Sequence, residues 1–199
     1  MHLRGFAVNA GPLPFQWALV VVSALWGASE TGLLLFRRAN VSTSRQDAGS
    51  LRLLLVVIYL CIALGVFLGV SGRGRLHLGM SVRWLGLATI LAGLALRWWA
   101  IFSLRRFFTV DVAIHPDQQL VQTGPYRYLR HPSYAGALLS FAGLTLCLSS
   151  WLAALAILVP IAGAFYRRIR IEERALQSAF PNEYRDYCKR TSRIVPGIY

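Results

Sequence analysis

The chain alternates long apolar stretches with short polar segments. A helix needs about 20 mostly apolar residues to cross about 30 Å of hydrocarbon, and three stretches in the first half have this length. The next apolar region, residues 133–166, is too long for one crossing and is divided at Ser149-Ser150, so we interpret it as a helical hairpin. The five predicted spans are about 15–36, 53–70, 83–104, 133–148 and 150–167.

Composition supports this pattern. The hydrophobic content of 56% and the mean hydropathy of +0.51 exceed those of an ordinary soluble domain, and 199 residues suit a single domain. Met1–Phe15 has little basic character and the first apolar stretch is long enough to span, so we expect no cleavable signal peptide. The prediction is an all-α, polytopic membrane protein with one integral membrane domain over residues 1–199.

The charge of the chain indicates its orientation in the bilayer. The formal net charge is +13, but the arginines flank the predicted spans instead of forming one soluble basic face, which argues against a nucleic-acid partner. If the loops 37–52 and 105–131 and the C-terminal tail face the cytoplasm, most of the arginines lie on that side, as the positive-inside rule requires. We therefore predict an outside N-terminus and a cytoplasmic C-terminus.

The three cysteines are too few and too scattered to form a disulfide framework or a metal site. Cys61 and Cys147 lie in predicted spans and Cys188 lies alone in the tail. We interpret all three as structural and predict no metal.

Two ionisable residues, Glu30 and Arg97, lie inside predicted spans, where each costs about 2.5–3.5 kcal/mol if it is unpaired. On the predicted topology both lie about 10 Å below the cytoplasmic surface, at about 1.5 Å of rise per residue. One hypothesis is a direct contact between them. The alternative is that Arg97 extends to the interface and Glu30 is partly protonated.

The segment 107–131 is the longest one too polar to span, and loops of this length usually have a function or are disordered. Its apolar and aromatic residues favour an ordered loop. Pro132 suits the first turn of a helix, so His131 should lie at the membrane surface, where a helix N-terminus offers free N–H groups to an anionic ligand. A plain interface histidine is the alternative.

Helical periodicity continues beyond the fifth span, with an apolar stripe through Phe180 that Glu172 and Glu173 flank. In one interpretation this acidic pair is a solvated rim that Arg168 neutralises from one turn away. In the other, Glu172 binds a cationic ligand group and Arg168 binds an anionic one at the mouth of the bundle.

These motifs, taken in order, resemble the isoprenylcysteine carboxyl methyltransferase family. The similarity extends from about residue 107 to the C-terminus, and the first two spans carry no signature. The residues that carry it are Leu120-Val121-x-Thr-Gly-x-Tyr126, Arg130-His131-Pro132-Ser133-Tyr134-x-Gly136, Arg168-x-x-x-Glu172-Glu173-x-x-Leu176, Phe180-x-x-Glu183-Tyr184-x-x-Tyr187 and Pro196.

The resemblance implies a cofactor, S-adenosylmethionine, which becomes S-adenosylhomocysteine. It would be held without a Rossmann domain between the segments 107–134 and 165–199, which include a cytoplasmic loop and a C-terminal helix. Arg168 is implied to meet the substrate carboxylate, while Gln118-Gln119 departs from the expected side chains, so those contacts would be made by backbone. The implied cofactor contacts are Asp111, Gln118, Gln119, Leu120, Val121, Tyr126, His131, Pro132, Ser133, Tyr134 and Glu172.

The implied reaction is methyl transfer to the carboxylate of a lipophilic, isoprenylcysteine-like acceptor at the membrane surface. A phospholipid amine is an alternative acceptor, although an amine would need a base and an acidic clamp more than Arg168. An NADPH-dependent, sterol-type reductase and a non-catalytic scaffold are further alternatives. The arginine-rich, lysine-poor composition suggests a prokaryotic gene, hence an inner membrane, where prenylated proteins are not expected as substrates.

Overall fold

The computed structural model describes residues 12–36, 49–108 and 119–197, and every regular element within these ranges is a helix. Two short 3-10 segments, Arg105–Phe107 and Gly124–Arg127, flank the polar loop. The α-helices are α1 (Leu13–Phe36), α2 (Ser50–Val70), α3 (Met80–Leu104), α4 (Pro132–Leu148), α5 (Trp151–Ala179) and α6 (Pro181–Arg190).

Four helices, α1, α2, α3 and α5, are long and apolar enough to cross a membrane, and α4 is a shorter apolar helix of 17 residues. These five helices account for the five predicted spans, so the predicted all-α membrane fold is confirmed. The hairpin also forms where it was expected, because Ser149 takes a left-handed conformation and the Ser150 hydroxyl accepts a hydrogen bond from the N–H of Ala153.

Helix α5 does not end at the membrane surface. It continues to Ala179, about 12 residues beyond the predicted end of the fifth span, with an apolar N-terminal part and a polar C-terminal part. At about 1.5 Å of rise per residue, this extension carries its polar side chains up to about 18 Å past the apolar part. The same rigid helix therefore builds the bundle and presents Arg168 and Glu172 at its end.

Helices α3 and α4 are in backbone contact. A Cβ atom added at Gly93 would lie 2.5 Å from the carbonyl oxygen of Gly136, and one added at Gly136 would lie 2.5 Å from that of Gly93. Gly86 and Gly143 make the equivalent approach seven residues away on each helix, which is about two turns. Small residues at these crossings allow the close packing that stabilises helices in a bilayer.

Candidate active site

A cavity of about 530 Å³ lies among α1, α2, α3, α4 and the extension of α5. One end is polar and contains His131, Arg168 and Glu172. Mostly apolar residues of α1 and α2 line the rest of the cavity, which we call the apolar arm. A volume of this size is typical of sites that enclose small molecules, which commonly measure about 300–1,000 Å³.

The loop before α4 is shaped by a glycine turn. Gly124 has a φ of +59°, a backbone conformation that other residues rarely adopt, and a Cβ atom there would lie 2.6 Å from the Ser103 hydroxyl. A larger residue would therefore strain the backbone and collide with Ser103. The turn directs Tyr126 inward, and its backbone carbonyl accepts a 2.7 Å hydrogen bond from the Tyr187 hydroxyl of α6. Burial, together with the nearby Glu172 carboxylate, raises the pKa of Tyr126 well above its usual value.

His131 lies directly before α4, as the sequence predicted, and is only 3% exposed. Its backbone N–H donates to the carbonyl of Arg193 at 3.1 Å, and the neighbouring Arg130 N–H donates to the carbonyl of Ser192 at 2.8 Å. The Arg130 guanidinium also donates to the carbonyls of Cys188 and Thr191. The C-terminal tail therefore holds the Arg-His-Pro segment in place.

Glu173 forms the centre of a charged cluster beyond the apolar part of α5. Its Oε1 accepts a hydrogen bond from Arg193 Nε at 3.0 Å, and its Oε2 lies 2.9 Å from Arg193 Nη2 in an ion pair. Oε1 also lies 3.4 Å from His131 Nε2 and 3.5 Å from Arg130 Nε. Burial alone would raise the pKa of the Glu173 carboxyl, but the facing His131 ring and Arg193 guanidinium outweigh burial and lower the pKa to about 2.

Glu172 is more accessible than Glu173, with a side chain 34% exposed against 13%. Its Oε2 lies 3.8 Å from His131 Nδ1, on the opposite side of the imidazole from Glu173. Glu172 also lines the cavity. The two acidic residues therefore have different environments. Glu172 lines the cavity, whereas Glu173 lies in the charged cluster behind it.

Arg168 is 3% exposed, which a solvated rim residue would not be. Its Nε donates to the Tyr134 hydroxyl at 3.2 Å and its Nη1 donates to the Ser50 hydroxyl, at the start of α2, at 2.8 Å. The Tyr134 ring packs against Phe165 with a centroid distance of 5.2 Å. The guanidinium of Arg168, which extends from α5, is thus held by one residue of α4 and one of α2 at the polar end of the cavity.

The hypothesised contact between Glu30 and Arg97 is confirmed. Arg97 Nε and Nη2 each lie 2.6 Å from a different oxygen of the Glu30 carboxylate, which is a two-point ion pair. The remaining terminal nitrogen donates to the Ser133 hydroxyl at 2.9 Å. This ion pair joins α1 to α3 and α4 along the wall of the cavity.

The structure brings most of the sequence-predicted site residues together. Pro132 is the exception among the described residues, since it occupies the first turn of α4 and does not line the cavity. Asp111 and Gln118 lie outside the described residues. Those that line the cavity are Gln119, Leu120, Val121, Tyr126, His131, Ser133, Tyr134, Arg168 and Glu172.

Several residues that line the cavity were not predicted as site residues by the sequence analysis. Arg97, Arg130, Tyr184 and Tyr187 also line the cavity. The two tyrosines stand in one of the quoted motifs, so the motif could have indicated them. Arg193 stands in no motif, and only the fold brings it to Glu173.

The charged cluster does not have the composition of a metal site. No group of three or more His, Cys, Asp or Glu side chains that could hold a metal occurs within residues 12–36, 49–108 and 119–197. All three cysteines have free thiols.

Comparisons with known proteins show which proteins this chain is similar to. The model of the isoprenylcysteine carboxyl methyltransferase (ICMT) family matches residues 84–178, which run from α3 into the extension of α5 and so begin earlier than the motifs suggested. A probable protein-S-isoprenylcysteine O-methyltransferase of Oryza sativa subsp. indica is 32% identical over 119 residues, which cover 59% of this chain and 62% of the relative.

Protein-S-isoprenylcysteine O-methyltransferase B of Arabidopsis thaliana is 34% identical over 126 residues, which cover 60% of this chain and 64% of the relative. The chain thus spans somewhat less than two thirds of either relative. The solved structure of a eukaryotic intramembrane Ras methyltransferase, ICMT, matches 76% of this chain and 53% of its own with a TM-score of 0.54. At 24% identity, this match shows a shared fold.

Proposed function

We propose that this chain belongs to the isoprenylcysteine carboxyl methyltransferase family, whose model matches residues 84–178, and that it methylates the carboxylate of a lipophilic, isoprenylcysteine-like acceptor with S-adenosylmethionine as methyl donor. The observation that carries the proposal is the cavity, which joins buried charged groups to an apolar arm. A molecule with a polar head and a long apolar chain matches both ends.

The apolar arm suits a long hydrocarbon chain. Leu54, Ile58, Ile62 and Val66 line it at successive turns of α2. At about 1.5 Å of rise per residue, this stripe is about 18 Å long, and an apolar chain lying along it is removed from water. These residues would therefore hold the acceptor's chain while its head lies at the polar end.

Arg168 suits the carboxylate of the acceptor. A guanidinium matches a carboxylate in shape as well as in charge, and its bonds to Tyr134 and Ser50 hold it in one orientation. An amine acceptor would be repelled by this buried cation. The geometry around Arg168 therefore favours the carboxylate over the phospholipid amine.

The polar end also fits the methyl donor. The Tyr184 hydroxyl is buried and has no hydrogen-bond partner among the described residues, and Tyr184 lines the cavity beside Arg130 and His131. Buried polar atoms of this kind are ordinarily satisfied by water or by a ligand. Glu172, the accessible carboxylate, would pair with the donor's ammonium or ribose, and His131 with its amino-acid end.

When bound, S-adenosylmethionine supplies a methyl group on a positively charged sulfur. The acceptor carboxylate is ionised at neutral pH, so no residue is needed as a general base. Arg168 would fix the carboxylate, Glu172 and His131 would fix the donor, and the apolar helices would exclude water between them. Positioning and desolvation of this kind supply the rate.

The placement of the cavity supports the proposed topology. The polar end is built from the start of α2, the start of α4 and the far part of α5, which all lie on one side of the bundle. The positive-inside rule assigns this side to the cytoplasm, where a soluble methyl donor is available. We propose the same orientation in a prokaryotic inner membrane, with the N-terminus outside.

Calorimetric titration of the detergent-purified chain with S-adenosylhomocysteine tests the donor site. We expect binding to the wild type and a loss of about tenfold or more in affinity for Glu172→Ala, since charged hydrogen bonds contribute about 1.5–3 kcal/mol. Arg168→Ala should keep this affinity and raise the KM for the acceptor. The exposed neighbour Arg167→Ala is the matched control and should change neither.

Titration with NADPH belongs to the same experiment. Binding of NADPH in place of S-adenosylhomocysteine would assign the chain to reductase chemistry and reject the proposal. Binding of neither, with a folded protein, would support the scaffold alternative.

A further inference from the structure

Arg193 contacts both carboxylate oxygens of Glu173, through a hydrogen bond from Nε to Oε1 at 3.0 Å and an ion-pair contact between Nη2 and Oε2 at 2.9 Å. A two-point contact between a planar guanidinium and a carboxylate fixes the plane of both groups as well as their separation. Because the Glu173 side chain is only 13% exposed, water competes little for these bonds. Arg193 therefore determines where the Glu173 oxygens lie.

On its other side, Glu173 Oε1 faces His131 Nε2 at 3.4 Å. His131 Nε2 is buried and makes no shorter hydrogen bond to another group in the described part of the chain. The Glu173 carboxylate is its nearest acidic neighbour there. In a neutral imidazole one nitrogen carries the proton, and the shorter distance to Glu173 favours the form with the proton on Nε2. The other nitrogen, Nδ1, is directed to the side of Glu172, at 3.8 Å.

Arg193 lies in the tail and does not line the cavity. Its backbone carbonyl already accepts the N–H of His131 at 3.1 Å, so one residue restrains His131 through the backbone and, by way of Glu173, through the ring. In metal sites, residues that hydrogen-bond to a metal-binding histidine orient its ring. Mutation of such a residue commonly lowers the affinity for the metal about 10–100-fold. The same logic applies to any ligand that needs one ring orientation.

We propose that Arg193 is a positioning residue that acts through Glu173 to fix the orientation and proton position of His131 at the methyl-donor site. This proposal rests on the proposed function, because it assumes that His131 contacts the donor. Arg193 itself touches neither the donor nor the acceptor. Its effect is therefore expected in donor affinity, with the KM for the acceptor unchanged.

The variant Arg193→Ala isolates the side chain, because the backbone carbonyl that holds His131 remains. We expect its affinity for S-adenosylhomocysteine to fall about tenfold, by analogy with outer residues of metal sites. Arg193→Lys should recover part of the affinity, since an ammonium keeps the charge and loses the two-point geometry. Arg190→Ala is the matched control, since Arg190 lies in the same tail and its exposed side chain donates to Gln122 and to the carbonyl of Asp186.

Imidazole ¹⁵N NMR of the full chain gives a readout that a merely structural role would not move. The chain has four histidines, and His131→Asn identifies the signal of His131. We expect the wild-type ring to carry its proton on Nε2 when neutral, and Arg193→Ala and Glu173→Gln to show a mixture of the two proton positions. Glu173→Gln keeps the size of the side chain and serves if Arg193→Ala does not fold.

Wild-type affinity in Arg193→Ala, or an unchanged His131 signal in both variants, would overturn the proposal. A wild-type chain that does not bind S-adenosylhomocysteine would reject the proposed function, and the proton position of His131 would still test the link through Glu173. The two failures are therefore distinguishable.

Discussion

The two walls of the cavity are built in different ways. Helices α3 and α4 touch backbone to backbone at Gly93 and Gly136, whereas α1 has only Phe15 and Leu33 as buried residues among those described. The polar end of the cavity includes His131, Ser133 and Tyr134, which lie at the start of the tightly packed helix α4. Much of the wall along the apolar arm comes from α1, which the Glu30–Arg97 ion pair joins to the rest.

This difference matches two different requirements. A methyl donor and a carboxylate must be held in a fixed geometry, and backbone contact between helices provides a rigid frame for that purpose. A lipid-like acceptor must enter and leave sideways through a helix wall, and a wall with few buried residues opens at lower cost. The contrast between the two walls can be tested by changing one feature of each.

The largest effect is expected at the α3–α4 crossing. Gly93→Ala places a Cβ atom 2.5 Å from the Gly136 carbonyl oxygen, which only a separation of the helices can relieve. Overpacking of this kind costs about 1–3 kcal/mol or more. Thermal unfolding in detergent should show a clear fall in Tm.

The control for this substitution is Gly27→Ala on α1. No atom lies within 4 Å of the added Cβ there, and alanine favours a helix over glycine by about 0.5–1 kcal/mol. Its Tm should stay the same or rise. Equal losses at both positions would remove the contrast between the walls.

The second largest effect is expected at the Glu30–Arg97 ion pair, which joins α1 to α3. Glu30→Gln or Arg97→Gln should each lower the free energy of unfolding by about 1.5–3 kcal/mol, because each leaves a half-buried charge without its partner. The double variant should lose little more than either single one, since the same interaction is removed. Losses that simply add would show that the ion pair does not join α1 to the bundle.

The smallest effect is expected where α6 meets the loop before α4. The Tyr187 hydroxyl is buried and donates to the carbonyls of Tyr126 and Leu129 at 2.7 and 3.2 Å. Tyr187→Phe removes these bonds at a cost of about 1–2 kcal/mol and should loosen the loop. Denaturant titration measures it, with Tyr128→Phe as control because Tyr128 is 62% exposed. Identical curves for the two variants would contradict this role of α6.

Much of this architecture was predictable from the sequence because bilayer thickness constrains helix length. The five apolar segments, the hairpin at Ser149-Ser150 and the depth match between Glu30 and Arg97 all follow from residue counts. The motifs likewise indicated His131 and Glu172, and the structure places both at one cavity. The roles of these two residues remain predictions.

Other features depend on contacts between distant parts of the chain. Arg168 bonds to Ser50, 118 residues away, and no pattern at either position indicates the pairing. The environment of Glu173 depends on the tail, because Arg193 binds its carboxylate from 20 residues away. Periodicity assigns a helix face to a side chain, but it does not identify the segment that packs against that face.

Carboxylate methylation can be measured directly as methyl transfer from radiolabelled S-adenosylmethionine to an S-prenylated cysteine with a free carboxylate, in detergent and with the purified full chain. A carboxyl methyl ester is cleaved by mild alkali, whereas a methylated amine is not. We expect label in the lipid-soluble product that alkali releases as methanol, and none with the methyl-esterified acceptor. Alkali-stable label, or no transfer by a chain that binds S-adenosylhomocysteine, would contradict carboxylate methylation of such an acceptor.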